Sequence, residues 1–365
     1  MANNFCRFLS NGYRFKSEGT KLVYQPCCWY SKEIPVLNNP DFHRQKTELS
    51  QVNDWIPECE SCKKIEATGA YGNRSPRLRS FEEITDSSVP DNVPVWIELS
   101  IDTTCNAACI MCGPWHSTTW RRQEIKFGIR TAEQMPDLVP AEHWWTELQK
   151  QFSFEHVRSV SFLGGEPFES SIPLTVLRFL KQINGSLKDI TIHFQTNGSI
   201  KPSDEVMELA AECLRVKFNL SIDAVGPKFE YIRYPILWHK LEKVIEHVKS
   251  LRIPNIRFVS LATINPLNII YYDELECWIS KTFNESKFLT LKPNKSVGQI
   301  DISYTPLKLR LAVNEKFGSE HPVTKLISNV SYWQPQKFVK HIDWLDSNRR
   351  TNWRATFPEI VKYFE

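Results

Sequence analysis

The stretch WIELSIDTTCNAACIMCGP, residues 96–114, decides how the rest of the chain is read. It begins as a strand, with Trp96, Ile97, Leu99 and Ile101 supplying β-forming bulk. It then turns polar and delivers three cysteines at C-x3-C-x2-C spacing, Cys105, Cys109 and Cys112. Three thiolates from one loop can hold three irons of a four-iron cluster and leave the fourth iron open to a small chelating molecule. The same spacing is three quarters of a zinc site, with His116 as a fourth ligand. The sequence Gly164, Gly165, Glu166, Pro167, about fifty residues on and again at the end of a strand-like run, favours the open cluster. Its two glycines let backbone approach a ligand closely.

Outward from this loop the chain alternates. Strand-like runs occupy 95–101, 157–163, 189–195, 216–222, 256–264 and 287–293, rich in Val, Ile and Phe as buried parallel strands are. Between them, 141–152, 173–183, 203–214, 239–251 and 271–283 carry apolar residues at three- and four-residue steps, the pattern of amphipathic helices. Ser203 and Pro173 stand where helix starts place them. Six β/α units predict an α/β fold with a parallel sheet and right-handed crossovers, open or curled into a partial barrel. Ligands bind such sheets at the carboxyl ends of the strands. The candidate residues fall there: the cysteine loop after the first run, Gly164–Pro167 after the second, Thr196 and Asn197 after the third, Asp223 after the fourth and Asn265 after the fifth.

The triple cysteine followed by Gly-Gly-Glu-Pro resembles the radical S-adenosylmethionine enzymes. The resemblance implies a partial (β/α)6 TIM-like barrel over roughly residues 95–295, a four-iron cluster on Cys105, Cys109 and Cys112, and S-adenosylmethionine on the open iron. One electron then cleaves the sulfonium, and the 5′-deoxyadenosyl radical takes hydrogen from a substrate. By the same resemblance Gly164, Gly165, Glu166 and Pro167 receive the ammonium of the methionine moiety, and Thr196 and Asn197 lie near its ribose or methionine part. Ser221 and Asp223 line the ribose side, Arg233 helps hold the carboxylate, and Asn265 opens the loop that passes the adenine. Met111 stands where the family usually has an aromatic residue.

Residues 1–90 read differently, with five cysteines and many turn residues, and the polar segment 87–94 with its two prolines reads as a linker. Cys6, Cys27, Cys28, Cys59 and Cys62 offer five thiols for the four places of a tetrathiolate site. Cys6, Cys27, Cys59 and Cys62 are the favoured set, with Cys28 an alternative to Cys27, and a structural zinc knuckle is the plain alternative. The segment resembles the twitch module, half of a SPASM domain, which holds a second, auxiliary four-iron cluster. Placed ahead of the barrel, it makes the whole chain similar to a phage-type group with an N-terminal twitch. The domains expected are this module at 1–90, the barrel at 91–300 and a C-terminal extension at 301–365. Within that extension Asp346 and Arg349, like His193, Arg257 and Lys292 on the strands, are candidates to face the cavity. Cys213 and Cys277, inside helical patterns, are expected to be buried.

The 365 residues carry a formal net charge of +3 with 24% charged, and no basic block announces a nucleic-acid surface, though so small a charge leaves a nucleic-acid substrate open. No apolar run is long enough for a membrane span, and the N-terminus lacks a signal-peptide core. A reducing cytoplasm is expected, in which ten cysteines are metal ligands or buried thiols rather than disulfides. The resemblance implies a flavodoxin- or ferredoxin-type reductant. Three substrate readings are open: a peptidyl or amino-acid carbon, a nucleotide or DNA base, and a non-catalytic metal-binding interaction protein.

Overall fold

The computed structural model describes residues 6–67, 78, 81, 83–84, 89–135, 137–283, 290–293, 300–328 and 335–365. Their strands make one nine-stranded sheet in the order β3-β2-β1-β4-β5-β6-β7-β8-β9. These are β1 (Gly12–Glu18), β2 (Lys21–Gln25), β3 (Ile34–Pro35), β4 (Trp96–Ser100), β5 (Ser159–Phe162), β6 (Thr191–Thr196), β7 (Arg215–Leu220), β8 (Ile256–Ile264) and β9 (Thr290–Pro293). From β1 through β4 to β9 every neighbour is parallel. The six expected strands stand as β4 to β9, apart from 287–289, which lie outside the described residues.

The register shows why the sheet has two unlike faces. Phe15, Leu99, Phe162, Phe194, Phe218 and Phe258 line up across six strands. Helices cover this face: Phe152, ending the helix before β5, packs its ring on Tyr13 and Phe15, and Phe283, ending the helix after β8, stacks on Phe258. One residue along, Arg14, Glu98, Ser161, His193, Lys217 and Arg257 form the matching row on the opposite, polar face. A period of two along each strand separates the rows.

The helices among the described residues, in chain order, are α1 (Arg7–Asn11), α2 (Phe42–Ser50), α3 (Glu60–Ala67), α4 (Thr118–Lys126), α5 (Ala141–Gln151), α6 (Ile172–Asn184), α7 (Asp204–Ala211), α8 (Pro227–Ile232), α9 (Trp238–Ser250), α10 (Tyr272–Phe283), α11 (Leu307–Phe317), α12 (Pro322–Ser328), α13 (Pro335–Arg349), α14 (Trp353–Thr356) and α15 (Pro358–Val361). Local chemistry sets their ends. The Ser203 hydroxyl accepts from the Val206 N–H to start α7, Pro173 sits in the first turn of α6, and Gly185 ends α6 in the left-handed region at φ 69°. Cys213 is buried as expected, whereas Cys277 is exposed. The apolar stripe of α10 runs through Tyr272, Leu275 and Ile279, and Cys277 falls off it.

The described strands within residues 1–90 continue the sheet. β1 pairs in parallel with β4, register Phe15 to Leu99, and β2 and β3 extend the sheet antiparallel from it. The 87–94 segment, described from residue 89, is tied down. Asn11 Nδ2 donates to the carbonyls of Pro90 and Val93 at 2.8 and 3.0 Å, and the Tyr13 hydroxyl donates to that of Asn92 at 2.6 Å. Buried Lys46 closes α1 by donating its ammonium to the Leu9 and Ser10 carbonyls. Among the described residues no helix is long and apolar enough to cross a membrane.

Candidate functional site

The loop after β4 is held from three sides. Behind it, Cys105 N–H donates to the Thr118 hydroxyl at 3.1 Å, the Thr119 hydroxyl to the Cys105 carbonyl at 2.6 Å and the Trp120 indole to the Cys109 carbonyl at 2.7 Å. Below it, the Ala108 and Ile110 N–H groups donate to the carbonyls of Tyr234 and Ile232. Beside it, Asn106 exchanges side-chain bonds with the loop after β6, donating to Ser199 Oγ at 2.8 Å and accepting from Asn197 Nδ2 at 2.9 Å. Nothing in the local sequence marks Asn106 for this task, because its partners lie about ninety residues away.

Gly164 and Gly165 are required by the cysteine loop itself. Both have positive φ, 77° and 54°, and a Cβ on Gly165 would stand 2.2 Å from the Thr104 carbonyl oxygen. On Gly164 it would meet Ser100 Oγ at 2.8 Å. Pro167, buried, begins a short 3₁₀ turn. Glu166 is wholly buried, and its carboxylate is spent on protein partners: Oε1 accepts from the Thr196 hydroxyl at 2.7 Å and Oε2 from the Asn197 N–H at 2.7 Å. Through these bonds Glu166 braces the 196–197 turn. Burial outweighs these bonds and lifts its pKa to about 7.

The remaining rim residues are likewise joined to each other. Gln195 Nε2 donates to Ser221 Oγ at 2.9 Å. Asp223, buried, accepts from Arg233 Nε at 2.5 Å and from the Thr263 N–H at 2.6 Å. Asn265 spends its side chain on the turn after β8, and Asn268 donates to the carbonyls of Asp223 and Thr263 at 3.0 Å, joining the ends of β7 and β8. Arg233 turns to the cysteine loop, its Nη1 3.7 Å from Cys109 Sγ, rather than standing free for a carboxylate. His193 and Arg257 lie in the polar row, and the side chain of Lys292 is outside those described.

Burial raises the pKa of all three loop thiols, Cys112 to about 12, and each is raised further by a neighbouring thiol or acid. Cys105 feels Cys109 and Cys112, and Cys112 feels Cys109, so the three stand together. Such thiols are inert until a metal displaces their protons. The charges that His116 feels are those of Lys16, Arg14 and Glu18, with no thiol among them, so it is turned from the trio toward β1. Among the described residues no three His, Cys, Asp or Glu side chains are gathered as a single metal ion would hold them. A four-iron cluster takes one thiolate per iron, and three coupled thiols on one braced loop suit it.

The second cysteine group also comes together. The thiol of Cys6 feels Cys27 and Cys59, Cys59 feels Cys27, and Cys62 feels Cys27, Cys6 and Cys59. Burial, helped by these neighbours, pushes Cys6 and Cys62 up to about 12 and Cys59 up to about 11. The adjacent Cys28 is exposed. Cys6 and Cys27 also pack against Phe8, Phe81 and Trp96, which places this group beneath the start of β4.

Two clefts flank the cysteine loop. One, of about 860 Å³, is lined by Lys16, Asp102, Thr104, Trp115, His116 and Ser170. The other, of about 840 Å³, lies between Cys112, Trp120 and the α13 residues Lys337, His341 and Trp344. Both are of the size that ligand sites have.

The sequence of residues 99–275 matches the Radical SAM superfamily. Among solved structures, native anSMEcpe with bound AdoMet is 14% identical over 61% of this chain and 60% of that one, at a TM-score of 0.42. Streptococcus suis SuiB bound to S-adenosylmethionine is 14% identical over 88% of this chain and 71% of that one, at a TM-score of 0.39. The chain thus spans about three fifths of the first of these, 60% of its length. No curated protein matches it.

Proposed function

We propose that this chain, whose residues 99–275 match the Radical SAM superfamily, is a radical SAM enzyme that binds S-adenosylmethionine beside a four-iron cluster and abstracts a hydrogen atom from a peptidyl or amino-acid carbon. When bound, cluster and cofactor supply a one-electron cleavage that yields a 5′-deoxyadenosyl radical. The protein's own part is to hold Cys105, Cys109 and Cys112 on a loop braced by Thr118, Thr119, Trp120 and Asn106. It also keeps the strand ends rigid through Glu166, Asp223 and Asn268, so the reacting centre is positioned before the substrate arrives.

The single observation that carries this reading is the trio Cys105, Cys109 and Cys112 on one braced loop after β4, the first two buried and the third half-buried. A second metal site at Cys6, Cys27, Cys59 and Cys62 is proposed as an auxiliary four-iron cluster, supported by the mutual influence of those four thiols. As an electron acceptor it would suit an oxidative change at a peptide carbon.

The test is anaerobic reconstitution with iron and sulfide counting, followed by assay for methionine and 5′-deoxyadenosine. Wild type should form both, and Cys109→Ala neither. Deuterium passing from a labelled peptide into 5′-deoxyadenosine would support the peptidyl substrate, and transfer from nucleotides alone would redirect it. Zinc as the only bound metal would sink the reading.

A further inference from the structure

Two buried guanidiniums act on the same cysteine. Arg233, just past α8, donates through Nε to Asp223 at 2.5 Å and places Nη1 3.7 Å from Cys109 Sγ. Arg349, the last residue of α13, donates through Nη2 to the Ala108 carbonyl at 2.7 Å and to Gln123 Oε1 at 3.0 Å. Its guanidinium lies between two rings, 4.6 Å from the centre of Trp120 and 4.8 Å from that of Tyr234. It is 8% exposed.

The two cations are compensated differently. Arg233 has a carboxylate at its side. Among the described residues no carboxylate pairs with Arg349. Asp346, one turn earlier, is turned to the Tyr231 hydroxyl, the Thr351 hydroxyl and the Trp353 N–H, at 2.9, 2.6 and 2.7 Å. A cation buried without a counter-ion is costly, and burial pushes the pKa of Arg349 down to about 10. The Cys109 thiol is within reach of its field. A metal-bound thiolate at Cys109 is the anion this arrangement lacks. Charge and hydrogen bonds at ligand sulfurs are what set an iron–sulfur potential, and a fixed cation favours the more negative, reduced state.

We propose that Arg349, seconded by Arg233, is a positioning residue that fixes the Cys109 corner of the cluster and raises its reduction potential. Helix α13 is thereby part of the redox site. This rests on the reading that Cys109 holds an iron.

The test is a redox titration, followed by electron paramagnetic resonance, of the reconstituted full chain after its iron and sulfide have been counted. Arg349→Met, loaded with cluster, should become harder to reduce by at least tenfold in the one-electron equilibrium, about 59 mV. Arg349→Lys, which keeps the charge, should restore most of that shift. Asp223→Asn keeps both guanidiniums and removes the charge opposing Arg233, so its midpoint should move the other way. An unchanged midpoint in loaded Arg349→Met, or equal falls in the Met and Lys variants, overturns the proposal. Should Arg349→Met fail to load, an unmoved midpoint in Asp223→Asn overturns it instead. A wild-type chain that takes up no iron–sulfur cluster defeats the functional reading itself, and is told apart by the iron and sulfide count.

Discussion

Replacing Glu166 by Gln removes one titrating proton from the middle of the site while keeping links to Thr196 and Asn197 and giving up the 3.3 Å bond from the Phe168 N–H. The carboxyl is wholly buried, accepts from Thr196, Asn197 and Phe168, and has its pKa lifted by burial from 4.5 to about 7. A folded pKa above the unfolded one means that the proton stabilises the fold. That contribution is fully present below about 4.5 and is lost as pH rises through about 7. At about 1.36 kcal/mol per pH unit the loss has a ceiling of ~3 kcal/mol. In Glu166→Gln the amide oxygen can accept from the Asn197 N–H and the amide nitrogen can donate to Thr196 Oγ1, which already accepts from the Gly198 N–H at 2.9 Å. The assay is urea unfolding of anaerobically purified protein from about pH 5 to about pH 8.5. Wild type should lose stability relative to the variant across that interval, most steeply between about pH 5 and about pH 6.5, where only the folded state still holds the proton, and levelling off above about 7. His116 and His341 act oppositely, since burial depresses their pKa values and they favour the fold as pH rises. Being present in both proteins, they cancel in the difference. Parallel pH profiles for the two proteins would refute the reasoning.

Three further expectations follow from the same geometry. Gly165→Ala must move Thr104 or the loop after β5, since its Cβ would sit 2.2 Å from a carbonyl oxygen at φ +54°. Bound iron should drop and stability should fall by at least about 1 kcal/mol, read by iron analysis and urea midpoint. Asn106→Ala breaks two side-chain bonds to Asn197 and Ser199 and should cost roughly 1–3 kcal/mol. It should also raise the KM for S-adenosylmethionine in the 5′-deoxyadenosine assay, and an unchanged KM would confine Asn106 to stability. Cys59→Ala with Cys62→Ala should lower bound iron by about four atoms and leave cofactor cleavage detectable, whereas loss of zinc at constant iron would assign that site to zinc.

Strands β4 to β8 were legible because bulky apolar residues recur at every second position on the face the helices cover: Ile97 and Leu99, Val160 and Phe162, Ile192 and Phe194, Val216 and Phe218, Ile256 and Phe258. β1 was not, because Arg14 and Lys16 break its apolar pattern and look toward the polar face, while the residues that bury Tyr13 and Phe15 come from β4 and α5, some eighty or more positions later. Its parallel partner is that distant, while its local partner is the short strand β2, whose Tyr24 also packs on Tyr13 and Phe15. The rim residues were legible in position and only partly in role. Residue type states which bonds a side chain can make, and its place at a strand's end states which rim it joins. Neither states which rim neighbour uses up that capacity. Buried polar groups must be satisfied, so Glu166 takes Thr196 and Asn197, Asp223 takes Arg233, and Asn268 takes Asp223. These side chains thus hold the ends of β6, β7 and β8 in place. Groups whose capacity stays open must be sought where a charge is buried without its counterpart. Arg349, which the sequence offered only as a candidate to face the cavity, is such a group, and because its link to Ala108 spans 241 residues its partners could not be read locally.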